Sequence, residues 1–523
     1  MHRRTLLKTA GATLLASPAV AQLAATATLR LVPQANLTAL DPIFTTAIVT
    51  NNHAYHVFDT LYSCAADGVP KPQMAEGHEV SADGLTWQIR LRAGLTFHDG
   101  TPVRGVDCAA SIRRWCQRDA FGQLLAKVVD QWGAPDDRTM ELRLSRPFPL
   151  MLTALGKPDP SLPAIMPERL ARTDGFTQAT EMVGSGPYRF IAGEYNSGSR
   201  VVYERFANYV PRDGAPDWAT GGKVAHYPRI EWSIIPDAAT AAAALQNGEV
   251  DWWEQPLVDL LPSLARNRDI TLAVANPQGN ESLMRLNHLQ APFNDVAIRR
   301  AVLLGVNQDD FMRATFGDDT SAWRTCFSEF PCGTPYETDG SATMRNDLEA
   351  ARAALKASAY AGQRVVVLSP TDYPPVRPLC QVTADLLQKI GFTVDLQEMD
   401  WGSVIQRRTN RESVDKGGWS VFCTYGSSGG YSTPATSQLV RGQGTAGWFG
   451  WWTSPKAEEL TQDWLNAPDP AAQKRIASEL SRLAMNEVAT IPLGISYPKT
   501  AYRKRITGVL QGVAPYPWNV RPA

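Results

Sequence analysis

The sequence carries almost no net charge: 51 lysines and arginines stand against 52 aspartates and glutamates, a formal balance of −1. It has no basic field with which to hold nucleic acid or an anionic lipid surface. Histidine is scarce, with 7 in 523 residues, and the last of them is His288. A serine further along the chain therefore has no later imidazole to serve as its base. Cysteine is scarce too. Cys64, Cys108, Cys116, Cys326, Cys332, Cys380 and Cys423 form no CxxC pair and no Cys/His cluster of zinc spacing. The apolar run Thr9 to Val20 falls short of the ~20 residues that span a bilayer, so it excludes a membrane anchor there.

What is present is a long, ordinary globular composition, 44% hydrophobic and 20% charged. The length exceeds the ~250–300 residues at which one core usually divides, so two or three lobes are expected. Arg3-Arg4-Thr5-Leu6-Leu7-Lys8, then the apolar run, then Ala19-Val20-Ala21 read as a twin-arginine export signal over residues 1–21. Cleavage near Ala21 would free a periplasmic protein starting near Gln22. With Cys64 the first cysteine, a lipid-anchored form is not expected. Seven is an odd number of cysteines for an oxidising compartment. Cys326 and Cys332 flank a five-residue segment short enough to bring them within bonding range, either as a disulfide or as two buried thiols.

Thr28 to Val32 reads as a first strand, followed by a helical run through Ala54, Val57, Phe58 and Leu61. Trp87–Leu91 and Met140–Leu144 alternate as half-buried strands around a helix from Val106 to Arg118. Asp237 caps an alanine-rich helix that Gly248 stops. A polar stretch from Asn276 to Ser282 marks a crossing between lobes. Beyond it Asp295 caps another helix. Arg364–Leu368, a helix from Val376 to Ile390, and Phe392–Leu396 form a β-α-β unit, which implies parallel strands. Ser454-Pro455 and Asp469-Pro470 each start a helix.

Two turn-forming segments, Phe97-His98-Asp99-Gly100-Thr101-Pro102-Val103 and Gly184-Ser185-Gly186-Pro187-Tyr188-Arg189-Phe190, stand in this order some ninety residues apart. With Ala243–Asp251 and Phe293–Ala301, they resemble the family 5 solute-binding proteins of bacterial ABC importers. Those are receptors for dipeptides, oligopeptides, nickel chelates and some other solutes. The resemblance covers nearly the whole chain after the signal. It implies an α/β, two-lobe periplasmic-binding-protein clamshell, type II-like, with an extra subdomain in lobe I. Lobe I would span 22–277, with the inserted subdomain at about 65–185; lobe II would span 278–490, and 491–523 would return to lobe I. The family captures a solute between its lobes and delivers it to a permease in the inner membrane. It implies no catalysis, no cofactor, no metal of the protein's own, no nucleic acid and a monomeric state.

Dipeptide-binding members hold the α-ammonium with an aspartate just after a Gly-Trp pair. Here Gly418-Trp419 is followed by Ser420 to Tyr425, without a carboxylate. The family's Arg-Pro-Tyr grip for the α-carboxylate is replaced by Ser369 to Pro375, without arginine. An unpaired buried charge costs several kcal/mol, so a peptide-like solute that is neutral or cationic fits this pattern better than a zwitterionic dipeptide. Trp401, Trp419, Phe422, Tyr373 and Tyr425 offer flat faces and Asp372 an anionic contact; Trp401 and Trp419 read equally as core. Thr45 and Thr46 are candidates from the opposing lobe. The aromatic run Gly447 to Trp452 reads as packing under the next helix. A contrasting reading is a secreted serine hydrolase, because Gly426-Ser427-Ser428-Gly429-Gly430 satisfies G-x-S-x-G. Ser428 lacks the later histidine that such a site needs. His53 and His56, three apart, have no carboxylate motif beside them and make a weak metal pair.

Overall fold

The computed structural model describes residues 28–523, so the export signal expected over residues 1–21 lies outside the described residues. Two large sheets organise the chain. The first contains, in spatial order, the strands Ile270–Val274, Lys499–Arg503, Trp252–Trp253, Thr28–Val32, Arg229–Ser233, Arg200–Arg205 and Tyr188–Phe190. The second contains Trp323–Arg324, Ile491–Ser496, Asn280–Leu286, Val421–Ser427, Arg364–Pro370 and Thr393–Met399. A four-stranded antiparallel sheet, from Ala75–Val80 to Thr139–Leu144, belongs to a subdomain attached to the first lobe.

Local chemistry sets the elements. Asp237 accepts from Thr240 N, and Gly248, in the left-handed region, ends the helix Ala238–Asn247. Asp295, Asp347 and Asp469 cap their helices in the same way. Arg364–Pro370 runs parallel to Thr393–Met399 and to Val421–Ser427. Parallel strands are covered on both faces, which is why its Val365, Val366, Val367 and Leu368 are all buried.

The two turn segments singled out in the sequence meet in space. His98 N donates to Gly184 O at 2.8 Å, and the His98 ring nitrogen Nε2 lies 3.0 Å from Gly186 O. A Cβ on Gly184 would stand 2.0 Å from Val57 O, and one on Gly186 2.7 Å from His56 O. Glycine is required there because the backbone lies directly on the end of the helix Ile48–Val57. That helix carries His53 and His56, buried among Phe190, Tyr203 and Trp232. Burial drives both imidazoles down to about 3. They are core side chains, not metal ligands.

The chain crosses from the first sheet to the second between Val274 and Asn280. The return crossing is later than the sequence pattern placed it. Ile491–Ser496 pairs with Asn280–Leu286 in the second sheet, and only Lys499–Arg503 joins the first. The apolar Ile491 to Leu493 run looks alike in either sheet; the crossing is made by Tyr497-Pro498. Cys326 and Cys332 are joined by a disulfide, with Cα atoms 5.7 Å apart.

Three ion pairs with both partners buried hold the first lobe and its subdomain together. Arg114 Nη1 and Nη2 donate to Asp41 Oδ1 and Oδ2 at 3.2 and 2.6 Å, and Lys223 reaches Asp59 at 2.8 Å. Lys157 pairs with Asp119. Asp41 also accepts from the backbone of Ile43 and Ala179, so one carboxylate fixes the loop that leads to Thr45. Asp41→Ala should lower stability by about 3–5 kcal/mol, since it strands Arg114 without a counter-charge. Removing both charges, as Asp41→Leu with Arg114→Met, should cost less. Urea unfolding of the two variants checks this; a single variant as stable as the double would overturn it.

Candidate functional site

In open α/β sheets a crevice forms beyond the carboxyl ends of parallel strands. Both lobes use theirs. Thr28–Val32 and the parallel Trp252–Trp253 end just before Gln34 and Glu254. In the second lobe, Arg364–Pro370 and Val421–Ser427 deliver Tyr373, Tyr425 and Ser427 to the same crevice. The lobes touch across it. Ser427 Oγ donates to Asp159 Oδ1 at 2.9 Å, Trp448 Nε1 to Thr46 Oγ1 at 3.2 Å, and Arg441 Nη1 to Ala120 O at 2.7 Å. The phenols of Tyr373 and Tyr425 lie 2.7 Å apart, with Tyr373 OH 3.0 Å from Gln34 Oε1 and Tyr425 OH 2.9 Å from Gln255 Oε1.

Three cavities lie in a row between the lobes. The largest, about 430 Å³, is walled by Thr45, Thr46 and Arg118 of the first lobe and by Arg411, Trp448 and Trp451 of the second. A small one of about 20 Å³ shares Thr46, Gln438 and Trp448 with it. That small cavity shares Asp159 and Tyr425 with a third, of about 60 Å³, which also touches Gln34 and Glu254.

The row is electrically polarised. At one end, burial raises the Asp159 carboxyl to about 6, with the Ser427 hydroxyl and Lys157 opposing. Burial raises Glu254 to about 7, against hydrogen bonds from Gln34 N at 2.9 Å and Asn52 Nδ2 at 2.7 Å. At the other end stand guanidinium groups. Arg118 donates to Phe44 O and lies over the Phe176 ring at 4.4 Å; Arg411 sits 5.7 Å from the Trp451 ring. Arg408, between them and the acids, is only 2% exposed, and its Nε and Nη2 have no hydrogen-bond partner among the described residues. Burial pulls it down to about 10.

The residues expected from the sequence separate into three groups. Thr45, Thr46, Tyr373, Trp401 and Tyr425 all line the row of cavities. Asp372 does not; its Oδ1 accepts from Trp401 N at 2.7 Å, beside the start of the helix Trp401–Arg407, and it borders a separate hollow with Pro33 and Ala35. Trp419 and Phe422 are fully buried within the second lobe. Trp419 precedes the strand Val421–Ser427, packs edge-to-face with Phe422 and tilted against Trp451, and donates from Nε1 to Arg408 O at 3.1 Å. It is a core residue that holds the backbone of Arg408. The strand carries Tyr425, not Trp419, to the crevice.

Arg408, Asp159 and Glu254 were not singled out by sequence reasoning, and the aromatic loop Trp448 to Trp451 was read only as packing. The loop packs partly as expected, yet Trp448, Phe449 and Trp451 also wall the largest cavity. A signal for Arg408 existed: it follows Trp401, Val404 and Ile405 at helical spacing, a charge on an otherwise apolar face. The loss of arginine from the 369–375 loop therefore does not leave the crevice without a cation. Ser428 is buried, and its Oγ has no hydrogen-bond partner, and hence no base, among the described residues.

Residues 69–448 match the family model described as bacterial extracellular solute-binding proteins, family 5 Middle. Over 492 residues, 93% of this chain and 92% of the relative, the sequence is 36% identical to the "Probable peptide ABC transporter periplasmic-binding protein y4tO" of Sinorhizobium fredii. It is 24% identical over 484 residues, 90% of each chain, to the glutathione-binding protein GsiB of Escherichia coli. Among solved structures, the periplasmic binding protein AgaA from A. tumefaciens R10, in complex with agropinic acid, superposes with a TM-score of 0.77 at 20% identity, covering 95% of this chain and 99% of that one. Haemophilus influenzae OppA, in complex with a nine-residue peptide, gives 0.77 at 16% identity, with coverages of 95% and 99%. These two share the two-lobe fold.

The raised acid at Glu254 makes stability depend on pH. Its folded value of about 7 exceeds the ordinary 4.5, so the folded protein holds a proton that the unfolded chain has released between those values. The stabilisation is complete below the ordinary value and is lost as pH rises through about 7. Glu254→Gln removes this titration. Between pH 5 and 8 the wild type should lose up to about 3 kcal/mol relative to the variant. Urea unfolding of both proteins at the two pH values measures it, and parallel pH profiles would refute it.

Proposed function

This chain belongs to the bacterial extracellular solute-binding proteins of family 5, and we propose that the row of cavities between its lobes is the chamber in which it captures its solute. The protein is a solute-binding receptor of an ABC importer and not an enzyme. The observation that carries the chamber assignment is the meeting of polar side chains from both lobes, Gln34, Asp159 and Thr46 facing Tyr425, Ser427 and Trp448, around enclosed space. Thr45, Thr46, Tyr373, Trp401 and Tyr425 contact the solute in this reading. Trp419, Phe422 and Asp372 act behind them.

A peptide-like or other small organic solute fits the chamber. The relatives support that range, since their names and complexes include peptides, glutathione and agropinic acid. The largest cavity, of about 430 Å³, lies within the ~300–1,000 Å³ usual for small-molecule sites. Receptors of this kind act by closing on the solute, and the closed form is what a permease in the inner membrane would engage, with the receptor as a monomer. A hydrolase reading at Ser428 lacks a base and is not supported.

Mass spectrometry of small molecules released by denaturing freshly purified protein should find a bound organic solute. Peptide and ester substrates incubated with the protein should be returned intact. Turnover that Ser428→Ala abolishes would replace the receptor reading with the hydrolase one.

Export is proposed to run through Arg3 and Arg4, with cleavage near Ala21 releasing the receptor into the periplasm. The twin-arginine pathway reads the guanidinium pair and not charge alone. Replacing both arginines by lysine should leave precursor in the cytoplasm, measured by fractionation. Normal periplasmic delivery of that variant would reject the route.

A further inference from the structure

We propose that Arg408 is the chamber's receptor for a carboxylate group of the solute. The inference rests on the receptor reading above and adds the chemical class of its cargo. It reverses the sequence-based expectation of a neutral or cationic ligand.

Arg408 follows the helix Trp401–Arg407 and lines the small cavity between Thr46, Asp159, Tyr425 and Trp448. Its guanidinium is buried, and two of its nitrogens, Nε and Nη2, find no acceptor among the described residues. A guanidinium presents five N–H donors in a fork that matches a planar carboxylate. The titratable groups that act most on it are the neutral Tyr431 phenol and Arg118; the Asp159 carboxyl lines the same cavity but makes no hydrogen bond to it. What covers it is aromatic: its Cζ stands 4.6 Å from the Phe449 ring centroid, 5.8 Å from Phe422 and 5.9 Å from Trp401. Those faces attract a cation but use none of its N–H groups.

A second observation points the same way. The charged side chains walling the adjoining large cavity are Arg118, Asp119 and Arg411. Asp119 is taken by Lys157 and by the backbone of Phe121 and Gly122. The uncommitted charge on that side is therefore positive. The carboxyl of Asp159 shares the small cavity with Arg408 and that of Glu254 lines the next one, both raised toward the neutral form by burial. A solute with a carboxylate at Arg408 and hydrogen-bond donors toward Asp159 and Glu254 satisfies both ends.

The backbone of Arg408 is fixed by Trp419, whose indole N–H bonds its carbonyl. The side chain thus issues from a rigid point in the lobe core. This differs from an arginine in the loop after Arg364–Pro370, where the chain has Thr371-Asp372-Tyr373.

The test uses the full mature protein, its Arg408→Met variant and a panel of defined probes: glutathione, di- to tetrapeptides and amino-acid–sugar conjugates, each as the free acid and as the carboxamide. For probes that the wild type binds by calorimetry, the acid should bind at least ~100-fold more tightly than the amide. Arg408→Met should erase that preference. Acid and amide bound equally by the wild type, or an acid preference that survives in Arg408→Met, would overturn the assignment. Thermal unfolding without added probe is the second readout. An uncompensated buried charge replaced by an apolar chain of similar reach should raise the melting temperature by a few degrees. An unchanged or lowered value would mean that Arg408 serves the fold, and the proposal would fall. A wild type that neither releases nor binds any small solute counts against the receptor reading itself, and so separates that failure from the failure of Arg408.

Discussion

A charge taken out of water needs a counter-charge or a full set of hydrogen bonds, and that requirement orders this molecule. Arg114, Lys223 and Lys157 in the first lobe are buried, and each has a dedicated carboxylate in Asp41, Asp59 and Asp119. Arg441 in the second lobe has Glu458 and also reaches Ala120 O across the crevice. Arg408 is treated differently, covered by the rings of Trp401, Phe422 and Phe449 and left with open donors beside the crevice. In a clamshell this couples two equilibria. A guanidinium enclosed without an anion carries an uncompensated desolvation cost of several kcal/mol, whereas one enclosed on an anion does not. Swinging a population from 1:99 to 99:1 needs ~5.5 kcal/mol of differential affinity, so one such group can supply much of the difference between open and closed states.

The chamber is precise because it is built on strand ends. Gln34 and Glu254 follow parallel strands of the first sheet, and Tyr425 and Ser427 close a strand of the second. Their backbones are held by ladders buried on both sides, and the side chains that meet in the crevice inherit that rigidity. Loops contribute where reach is needed. Trp448 comes from the aromatic loop to bond Thr46, and Asp159 comes from the segment between Lys157 and Ser161 to accept from Ser427. These contacts join residues hundreds of positions apart, so a small change in lobe orientation breaks several at once.

The architecture was largely legible in the sequence. Aspartate caps, a glycine stop and an apolar β-α-β alternation are local signals, and Asp237, Gly248 and Arg364 to Leu396 obey local rules. Two glycines before Pro187 were legible as a turn, but that they lie against the Ile48–Val57 helix is a tertiary fact. The site was less legible. Trp419 and Tyr425 are both aromatics near one strand, and only the position of the strand's end separates core from crevice. Ile491 to Leu493 would suit either sheet, because an apolar strand carries no mark of its partner. Asp159 and Glu254 are single acids in loops, indistinguishable in sequence from solvated ones until the opposing lobe covers them.

The aromatic run that looked like simple packing has a second consequence. A guanidinium over ring faces gains up to ~2 kcal/mol when desolvated, less than burial takes away. Phe449 and Trp401 therefore hold Arg408 in place without neutralising it. A carboxylate bonded to it would quench it permanently, as Glu458 does for Arg441 through paired bonds of 2.8 and 2.7 Å. Aromatic cover keeps the charge present, oriented and unspent, which is the condition under which an incoming anion can contribute to closing the lobes.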